Sequence, residues 1–517
     1  MRDSEEPVTD TPVEGTHASL WLETTTTTDY EPLDGVLSVD TAVVGGGIAG
    51  LTTAVKLAEA GQSVALLERD RIVAGVTGHT TAKLTSLHGL PYHHLADSFG
   101  VEDAGRYAAA NEAAIDDVEA TVGTLDADCG FERMPAVTYI GPDGESGVGT
   151  VREEVSVAQQ LDLPASFVGS SSLPGDGEAG VRFDEQAVFN PRSYLLGLAE
   201  RLAEGADTHL FEETTVTDVD DGEPCTVTTD RGTVRADDVV LATHFPIVDR
   251  GLYFSRLEPK RSYLLAVELG GTPPSEMYYR TGDPHFSLRP LPGEGNTVLV
   301  GGQNHRTGHG SPTVDRYRRL AEQARARLDV ESIRYRWSTQ DFTSVDTVPF
   351  VGPSPLADHT YIATGFGGWG MTGGTVAGRL LSDRILGREN DWASLYSPER
   401  LTVKASARKF ASHNRHSMEH YLEDYLLDRP PERPLALDPG EATVVEHEGE
   451  SVAAYRDEDG EYHTVSAVCS HMGCLVEWND GERSWDCPCH GSRFDVDGTP
   501  LETPAVEGLE QFDFGSG

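Results

Sequence analysis

The sequence lacks the positive charge and the long apolar runs that several classes of partner require. It contains 85 Asp and Glu residues against 40 Lys and Arg residues, for a formal net charge of −45. This charge disfavours a nucleic-acid partner, because the phosphate backbone would be repelled. No run of about 18 apolar residues occurs, so we expect no integral membrane association. Residues 1–6 lack the basic and apolar parts of a signal peptide, and we expect a cytoplasmic protein.

Lysine and cysteine are both scarce. Lysine occurs only at positions 56, 83, 260, 404 and 409. Acid-rich, lysine-poor sequences resemble those of halophilic microbes, where high ionic strength screens the repulsion between like charges. Six cysteines in 517 residues exclude a disulfide scaffold. Cys129 and Cys225 are isolated and are expected to be ordinary buried thiols, whereas the other four lie close together after residue 468.

A glycine-rich loop opens the first recognisable domain. Residues 39–44 form a short, mainly apolar run that predicts a buried parallel strand, and residues 51–60 have a helical pattern. Between them lies G-x-G-x-x-G. In this motif Gly45 permits a tight turn, Gly47 lets a pyrophosphate approach the backbone, and Gly50 lets the helix pack on the strand. The N-terminus of that helix would receive the phosphates of a dinucleotide.

An acidic residue follows the loop where a dinucleotide-binding domain requires one. Residues 63–67 predict a second strand, which ends at Glu68. The carboxylate of Glu68 can accept hydrogen bonds from ribose hydroxyls and disfavours a 2′-phosphate. The ligand is therefore FAD or NAD rather than NADP. The polar, Gly-rich residues 73–83 are unlike the second helix of a simple NAD domain.

Four cysteines and two histidines form two short loops late in the chain. The first is C-x-H-x-x-C at residues 469–474, and the second is C-P-C-H-G-S at residues 487–492. Two thiolates and two imidazoles suit an iron–sulfur cluster with Cys on one iron and His on the other. A structural zinc site is the alternative, since two Cys and two His also form a zinc ligand set. The tight arms, the lack of a finger helix between them and the extra cysteine in each loop oppose zinc.

Three separated motifs resemble those of the D-amino-acid oxidase and glycine oxidase group of FAD-dependent oxidoreductases. They are the glycine loop, the Ala-Thr strand end at 242–243, and the Gly-rich turn at 365–374 that leads into a helix. The resemblance covers roughly residues 38–390. It implies a Rossmann-like FAD-binding domain with an antiparallel-sheet substrate lobe. It also implies that the late helix points its positive N-terminal end at the reduced flavin.

The same resemblance assigns residues to the FAD site and to the substrate pocket. The FAD-binding residues would be Gly45, Gly47, Ile48, Ala49, Gly50, Glu68, Arg69, Thr80, Thr81, Lys83, Val216, Gly365, Gly370, Met371 and Thr372. The candidates for the substrate pocket are Tyr263, Arg289, His305, Arg306 and Trp369. No catalytic side chain is implied, because hydride transfer to flavin depends on positioning. His79 would be either a hydrogen-bonding partner of the flavin or its covalent attachment point.

The terminal loops and the short alternating strands around them, at residues 441–514, resemble the Rieske [2Fe–2S] domain in its form with two extra cysteines. The resemblance implies these roles: iron ligands Cys469, Cys487, His471 and His490, and a disulfide between Cys474 and Cys489. In high-potential relatives a Ser and, two residues later, a Tyr donate hydrogen bonds around the cluster. Ser492 is present, but Phe494 holds the Tyr position, which predicts a lower reduction potential.

These features predict a multidomain protein, an α/β flavoprotein followed by a small all-β domain. The expected divisions are a disordered or loosely docked acidic tail at 1–35, the flavoprotein at 36–390, a helical linker at 391–434 and the Rieske domain at 435–517. Within the flavoprotein, the FAD-binding parts would be about 36–130, 190–255 and 341–390, and the substrate lobe about 131–189 and 256–340.

The implied function is the oxidation of a small-molecule amine or amino acid by hydride transfer to FAD. Electrons would then pass one at a time to the cluster and to an external acceptor. Flow in the opposite direction, from an external donor through the cluster to the flavin, would make the protein a reductase. An electron-transfer adaptor or redox sensor without metabolic turnover is the alternative from another class. A Rieske oxygenase is excluded, since no 2-His-1-carboxylate motif appears near the cluster.

Overall fold

The computed structural model describes residues 13–142, 147–310, 312–400 and 436–512. The helices in these ranges are α1 Leu20–Thr24, α2 Ile48–Glu59, α3 Tyr92–Phe99, α4 Val101–Val122, α5 Val148–Gln160, α6 Pro191–Ala203, α7 Val314–Arg327, α8 Gly370–Ile385 and α9 Ala393–Tyr396. None of these described helices has the length and apolar character that a membrane span needs.

The strands in the same ranges are β1 Thr16–His17, β2 Gly35–Val44, β3 Val64–Leu67, β4 Lys83–Leu84, β5 Glu132–Arg133, β6 Ala136–Ile140, β7 Ala165–Gly169, β8 Ala179–Phe183, β9 Ala187–Val188, β10 Thr208–Phe211, β11 Val216–Asp220, β12 Cys225–Thr229, β13 Gly232–Leu241, β14 Leu257–Leu269, β15 Met277–Arg280, β16 Phe286–Pro290, β17 Thr297–Arg306, β18 Val330–Ser344, β19 Phe350–Pro353, β20 Thr360–Thr364, β21 Ala442–His447, β22 Glu450–Arg456, β23 Tyr462–Ser466, β24 Glu477–Asn479, β25 Ser484–Asp486, β26 Arg493–Phe494 and β27 Pro500–Glu502.

The first domain is built on an eight-stranded sheet. Six strands run in the order β10-β3-β2-β13-β12-β11, and β20 pairs with both β13 and β19. The pairs β10·β3, β3·β2, β2·β13 and β13·β20 are parallel, as expected for apolar strands that are covered on both faces. The glycine loop joins β2 to α2, so α2 begins at the carboxyl edge of this sheet, where ligands bind in such folds.

Two helices that begin at this edge pack unusually closely. A Cβ atom at Gly374 of α8 would lie 2.6 Å from Ile48 Cγ2, and one at Gly378 would lie 2.4 Å from Thr52 Cγ2 of α2. Glycine at both positions is what lets the two backbones approach. The N-terminal ends of α2 and α8, both positive, are therefore brought to the same region of the domain.

The substrate lobe is built on a nine-stranded sheet in the order β1-β18-β14-β17-β16-β15-β6-β8-β7. Its longest pairing joins β14 to β18, with Leu257 opposite Ser344 at one end and Leu269 opposite Val330 at the other. Most neighbours are antiparallel, and β1·β18 and β15·β6 are the parallel pairs. The predicted fold class, an α/β flavoprotein with an antiparallel-sheet lobe and an all-β C-terminal domain, is confirmed.

Residues 13–35 belong to the folded flavoprotein, which corrects the expectation of a disordered or loosely docked tail for this part of the chain. β1 pairs with β18, and Leu20 and Trp21 are each 2% exposed. Trp21 Nε1 donates a hydrogen bond to the Thr80 carbonyl at 2.7 Å, and the Tyr30 amide donates to Glu212 at 2.9 Å. The segment is polar on average, but the burial of these two large apolar side chains holds it against the flavoprotein.

The C-terminal domain consists of two small sheets, β21-β22-β23 and β24-β25-β26-β27. Its core includes Trp485 and Phe494, both 0% exposed, together with Tyr455 and the buried cysteines of the two loops. Most of the predicted helical linker, residues 401–434, lies outside the described residues. Within 391–400 the structure has the short helix α9.

Candidate functional site

A cavity of about 720 Å³ lies where the two large sheets meet. Its walls come from the glycine loop, from residues within 73–83, from β14, β17 and β18, and from the start of α8. The C-terminal domain adds Glu482, Arg493, Glu502, Thr503 and Val506 to the lining. The volume is within the roughly 300–1,000 Å³ usual for small-molecule and cofactor sites.

The glycine loop leaves the backbone open to this cavity. Gly45 has φ +108, and a Cβ there would lie 2.5 Å from the Ala242 carbonyl oxygen, so only glycine fits. A Cβ at Gly47 would meet just one described atom within 4 Å, Thr77 Oγ1 at 3.1 Å. The loop therefore leaves room for a phosphate group beside the N-terminus of α2.

A half-buried carboxylate lies beside the loop. One oxygen of Glu68 accepts a hydrogen bond from the Gly46 amide at 2.7 Å, and the other accepts from the Asp70 amide at 3.0 Å. Burial raises the pKa of Glu68, and these backbone hydrogen bonds oppose the rise. Glu68 lines the cavity, where its remaining lone pairs suit ribose hydroxyls.

Another part of the cavity has an aromatic wall around a lysine. Lys83 Nζ donates to the Tyr278 carbonyl at 2.7 Å and to Ser287 Oγ at 2.6 Å. Burial, followed by the charge of Arg289, lowers the pKa of Lys83 to about 7. The Tyr279 ring lies 5.0 Å from the Trp369 ring, so this part of the cavity combines an aromatic wall with the lysine.

An acid and a base face each other across two strands of the cavity wall. Lys260 of β14 is the register partner of Asp341 of β18, and both line the cavity. Burial raises the pKa of Asp341 to about 6, and a backbone hydrogen bond from Gly368 and the charge of Lys260 oppose the rise. Burial lowers the pKa of Lys260, and the charge of Asp341 opposes that. Asp341 can therefore exchange a proton near neutral pH.

Thiols and imidazoles converge between the two terminal loops. Cys469 and Cys487 are buried free thiols, and the rings of His471 and His490 are 5.2 Å apart. Nδ1 of His471 is buried and has no hydrogen-bond partner within the described part of the chain. This donor set, two sulfurs and two ring nitrogens, fits a [2Fe–2S] cluster held by Cys on one iron and His on the other.

A disulfide joins the two loops beside these groups. Cys474 and Cys489 are bonded, with their Cα atoms 6.5 Å apart. The Cys487 sulfur lies within 4.8 Å of both of these sulfurs, but sulfurs in a disulfide are not available as thiolate ligands. Inside each loop a glycine amide closes a turn: Gly473 donates to the Cys469 carbonyl and Gly491 to the Cys487 carbonyl.

Comparison with known proteins agrees with both sites. Residues 40–384 match the FAD dependent oxidoreductase family, and residues 432–513 match the Rieske [2Fe-2S] domain. The chain belongs to the FAD-dependent oxidoreductase family. The Rieske 2Fe-2S iron-sulfur protein YhfW of Bacillus subtilis (strain 168) is 35% identical over 499 residues, which are 96% of this chain and 97% of that protein.

Two solved structures share the fold of the flavoprotein part. Glycine oxidase from Geobacillus kaustophilus superimposes with a TM-score of 0.58 at 18% identity, covering 71% of this chain and 99% of that one. L-amino acid deaminase from Proteus vulgaris, with its specific insertion deleted, has a TM-score of 0.58 at 17% identity, covering 76% and 99%. The protein is thus an FAD-dependent oxidoreductase that carries a C-terminal Rieske domain, and its cofactors are FAD and a [2Fe–2S] cluster.

Most residues predicted for the FAD site lie around the cavity. Those that line it are Gly45, Gly47, Ile48, Ala49, Glu68, Arg69, Thr80, Thr81, Lys83, Val216, Gly370 and Met371. Three others do not. Gly50 packs on the Gly45 carbonyl, Gly365 packs on Leu257 and Ser344, and Thr372 Oγ1 donates to the Thr85 carbonyl. His79 also lines the cavity, and its Nδ1 is 2.9 Å from the Gly75 carbonyl oxygen.

The structure divides the residues predicted for the substrate pocket. Tyr263 and Trp369 line the cavity. Arg289, which is 1% exposed, instead donates to the Phe189 carbonyl at 2.6 Å and lies over Trp21. His305 lies behind Tyr263, with Nε2 3.1 Å from the Tyr263 hydroxyl.

Arg306 also lies outside the cavity lining, and it donates to the Cys489 carbonyl at 3.4 Å. It belongs to the contact with the Rieske domain. A β-bulge in β17 lies near these residues. It interrupts the alternation of side chains between the two faces of the strand, so a prediction that assumes regular alternation misplaces them. The sequence contains no signal for this bulge.

The Rieske domain is docked on the flavoprotein through buried charges. Arg261, 1% exposed, lies 3.5 Å from Glu482 and 3.4 Å from Glu502 of the Rieske domain. Arg493 pairs with Glu502 at 2.9 Å. Burial would raise the pKa of Glu482, but a hydrogen bond with His17 and the charge of Arg261 hold it well below its usual value. The four residues of these ion pairs line one side of the cavity.

Sequence reasoning missed this docking and the Lys260–Asp341 pair. A signal for Lys260 was present, since it is one of five lysines in a strongly acidic chain. Asp341 is one of 85 acidic residues and had no such signal. Its position beside Lys260 follows from the pairing of strands far apart in the chain.

Proposed function

We propose that the protein is a dehydrogenase that oxidises an amine or an amino acid. In this proposal FAD would supply the hydride acceptor, and the Rieske cluster would supply a one-electron outlet to an external acceptor. The substrate class is suggested by the solved relatives of the fold, which include a glycine oxidase and an L-amino acid deaminase. Electron passage to the cluster is suggested by the way the two domains meet.

The observation that carries the proposal is the shared cavity wall. Glu482, Arg493 and Glu502 belong to the Rieske domain, yet they line the same cavity as the FAD-binding glycine loop. Gln340 of the substrate lobe donates a hydrogen bond to the carbonyl of Gly491, next to a cluster ligand, at 2.7 Å. The Rieske domain thus lies directly against the cavity proposed for the flavin, which is the arrangement that electron transfer between the two cofactors requires.

The reaction needs a proton acceptor and a closed, correctly shaped pocket. When bound, FAD takes up a hydride, which carries two electrons and one proton, and the cluster carries one electron at a time. A carbon–hydrogen bond of the substrate breaks, a C=N bond forms, and the amine nitrogen gives up a proton. In this proposal the carboxylate of Asp341, which lines the cavity, takes that proton at an Oδ atom.

Other side chains orient the substrate and limit water. The cation of Lys260, opposite Asp341, suits a substrate carboxylate. The rings of Tyr279 and Trp369 form an apolar wall, which reduces access of water and strengthens the electrostatic contacts inside the pocket. The two electrons that the substrate loses would leave one at a time, to one external two-electron acceptor or to two one-electron acceptors. The proton that came with the hydride would be released to water, so that both electrons and protons balance.

The test is anaerobic reduction of the holoprotein by a panel of amines and amino acids. We expect one class of compound to bleach the flavin absorbance, and the EPR signal of the reduced Rieske cluster to follow. A matched control is an analogue with no hydrogen on the carbon that bears nitrogen, for example 2-aminoisobutyrate against alanine. That analogue cannot give a hydride. If no amine bleaches the flavin while a redox protein reduces it quickly, the adaptor function replaces this proposal.

A further inference from the structure

Both histidines of the cluster site face aromatic rings of the flavoprotein. The Phe245 ring lies 6.2 Å from the His471 ring, at 74°, and the Phe254 ring lies 5.6 Å from the His490 ring, at 82°. The imidazole edge of the cluster site is therefore turned toward the flavoprotein in the docked protein.

Of these two phenylalanines, Phe245 is the one that directly follows residues lining the flavin cavity. Ala242, Thr243 and His244 line the cavity, and Phe245 follows them in the chain. Phe254 is not among the residues that line it. His244 has φ +66, a left-handed turn that lets successive side chains point to different sides. His244 thus borders the cavity while the Phe245 ring, 0% exposed, contacts His471.

Packing and hydrogen bonds hold this segment in place from both domains. Thr503 of the Rieske domain donates to the Thr243 carbonyl at 3.2 Å, and Thr243 Oγ1 donates to the Phe245 carbonyl at 2.7 Å. The Phe342 ring packs against His244 at 4.8 Å and against Phe245 at 5.2 Å. The segment is fixed at the point where the domains touch, between the cavity and a cluster ligand.

We propose that residues 243–245 form the electron route between the flavin and the Rieske cluster, with Phe245 as the positioning residue that contacts His471. The inference rests on the proposed function, because it assumes that the two cofactors exchange electrons. With both groups bound, each step would pass one electron from reduced flavin to the oxidised cluster, and no bond would form or break in the protein. Phe254, although its ring is as close to His490, lies off this route.

The test reduces the flavin by light and therefore needs no substrate. The holoprotein, with both cofactors, is photoreduced under argon with EDTA as the electron donor, and the rise of cluster reduction is followed by its visible absorbance. We expect Phe245→Leu to slow cluster reduction severalfold and Phe254→Leu to change it much less. Thr503→Val removes one hydrogen bond and no packed ring, so it also should slow transfer while it preserves the fold.

Control measurements distinguish slower electron transfer from a loss of cofactor or of folded structure. The FAD content, the EPR spectrum of the dithionite-reduced cluster and the midpoint potentials of both cofactors should match those of the parent protein in all three variants. A Phe245→Leu variant with these properties intact and an unchanged transfer rate would overturn the route, and so would equal slowing by Phe254→Leu. If light reduces the flavin of the parent protein and the cluster never follows, the proposed function itself fails.

Discussion

Replacing Arg261 by methionine tests whether the buried charges hold the Rieske domain on the flavoprotein. Arg261 is 1% exposed and lies within 3.5 Å of Glu482 and 3.4 Å of Glu502. Methionine keeps most of the side-chain volume and removes the charge. Removing one partner of a buried ion pair typically costs about 3–5 kcal/mol, because the other charge is left without compensation. We expect a loss of stability of this size.

The loss should depend on pH in a defined direction. Burial would raise the pKa values of Glu482 and Glu502, but their partners, Arg261 among them, hold both below the ordinary value of 4.5. A depressed carboxyl pKa adds stability that is complete above about pH 4.5 and is lost as the pH falls through the folded-state value. The difference between Arg261→Met and the parent protein should therefore be largest near neutral pH and shrink in acid.

Differential scanning calorimetry of the holoprotein, at neutral and at acid pH, measures this difference. The matched control is Arg325→Met, which removes an exposed pair with Glu14 at 2.6 Å and should cost only about 0–1 kcal/mol. The double variant Arg261→Met with Glu482→Gln should regain part of the loss, because the uncompensated charge is then gone. Equal destabilisation by the two arginine variants at every pH would refute the reasoning.

Three further predictions concern the cofactors and the pocket. Phe494→Tyr adds a donor at a fully buried position of the Rieske domain and should raise the cluster midpoint in protein-film voltammetry; an unchanged or lower midpoint contradicts this. Glu68→Ala removes an acceptor that lines the cavity and should weaken FAD binding about 10- to 150-fold in titrations of the apoprotein, from about 1.5–3 kcal/mol for hydrogen bonds to a charged group. The pKa of Asp341, about 6, predicts that flavin reduction by substrate accelerates as pH rises through that value. Asp341→Asn should be slow and pH-independent in the same range, and a parent-like profile would remove Asp341 from the reaction.

The fold class and both cofactors could be predicted because their determinants are local in sequence. The glycine loop with Glu68 occupies one strand–turn–helix–strand unit, and its chemistry is set by backbone shape and one carboxylate. The predicted cluster ligands likewise lie in two loops whose residue spacing is characteristic of a Rieske domain. The residues of such motifs are close together in sequence, so their arrangement can be predicted without knowing the long-range contacts of the fold.

Features that depend on distant contacts could not be read in the same way. Lys260 and Asp341 meet through the pairing of β14 and β18, and a register shift of one residue would point either side chain to the other face. Arg289 was a reasonable candidate for a cation in the substrate pocket, but its guanidinium lies over the Trp21 ring. Trp21 belongs to the N-terminal segment that the sequence predicted to be disordered or loosely docked. The contact of the Rieske domain with the cavity likewise required knowing how two domains dock.

His17 and Glu482 lie 3.4 Å apart, although they are near opposite ends of the chain. This contact has a consequence for the order in which the protein folds during synthesis. Chains are synthesised from the N-terminus, and domains fold as units in that order. The wall of the FAD cavity uses His17, which leaves the ribosome early, and Glu482, Arg493 and Glu502, which leave late. The nascent flavoprotein therefore has an open cavity until the Rieske domain has been made and docked.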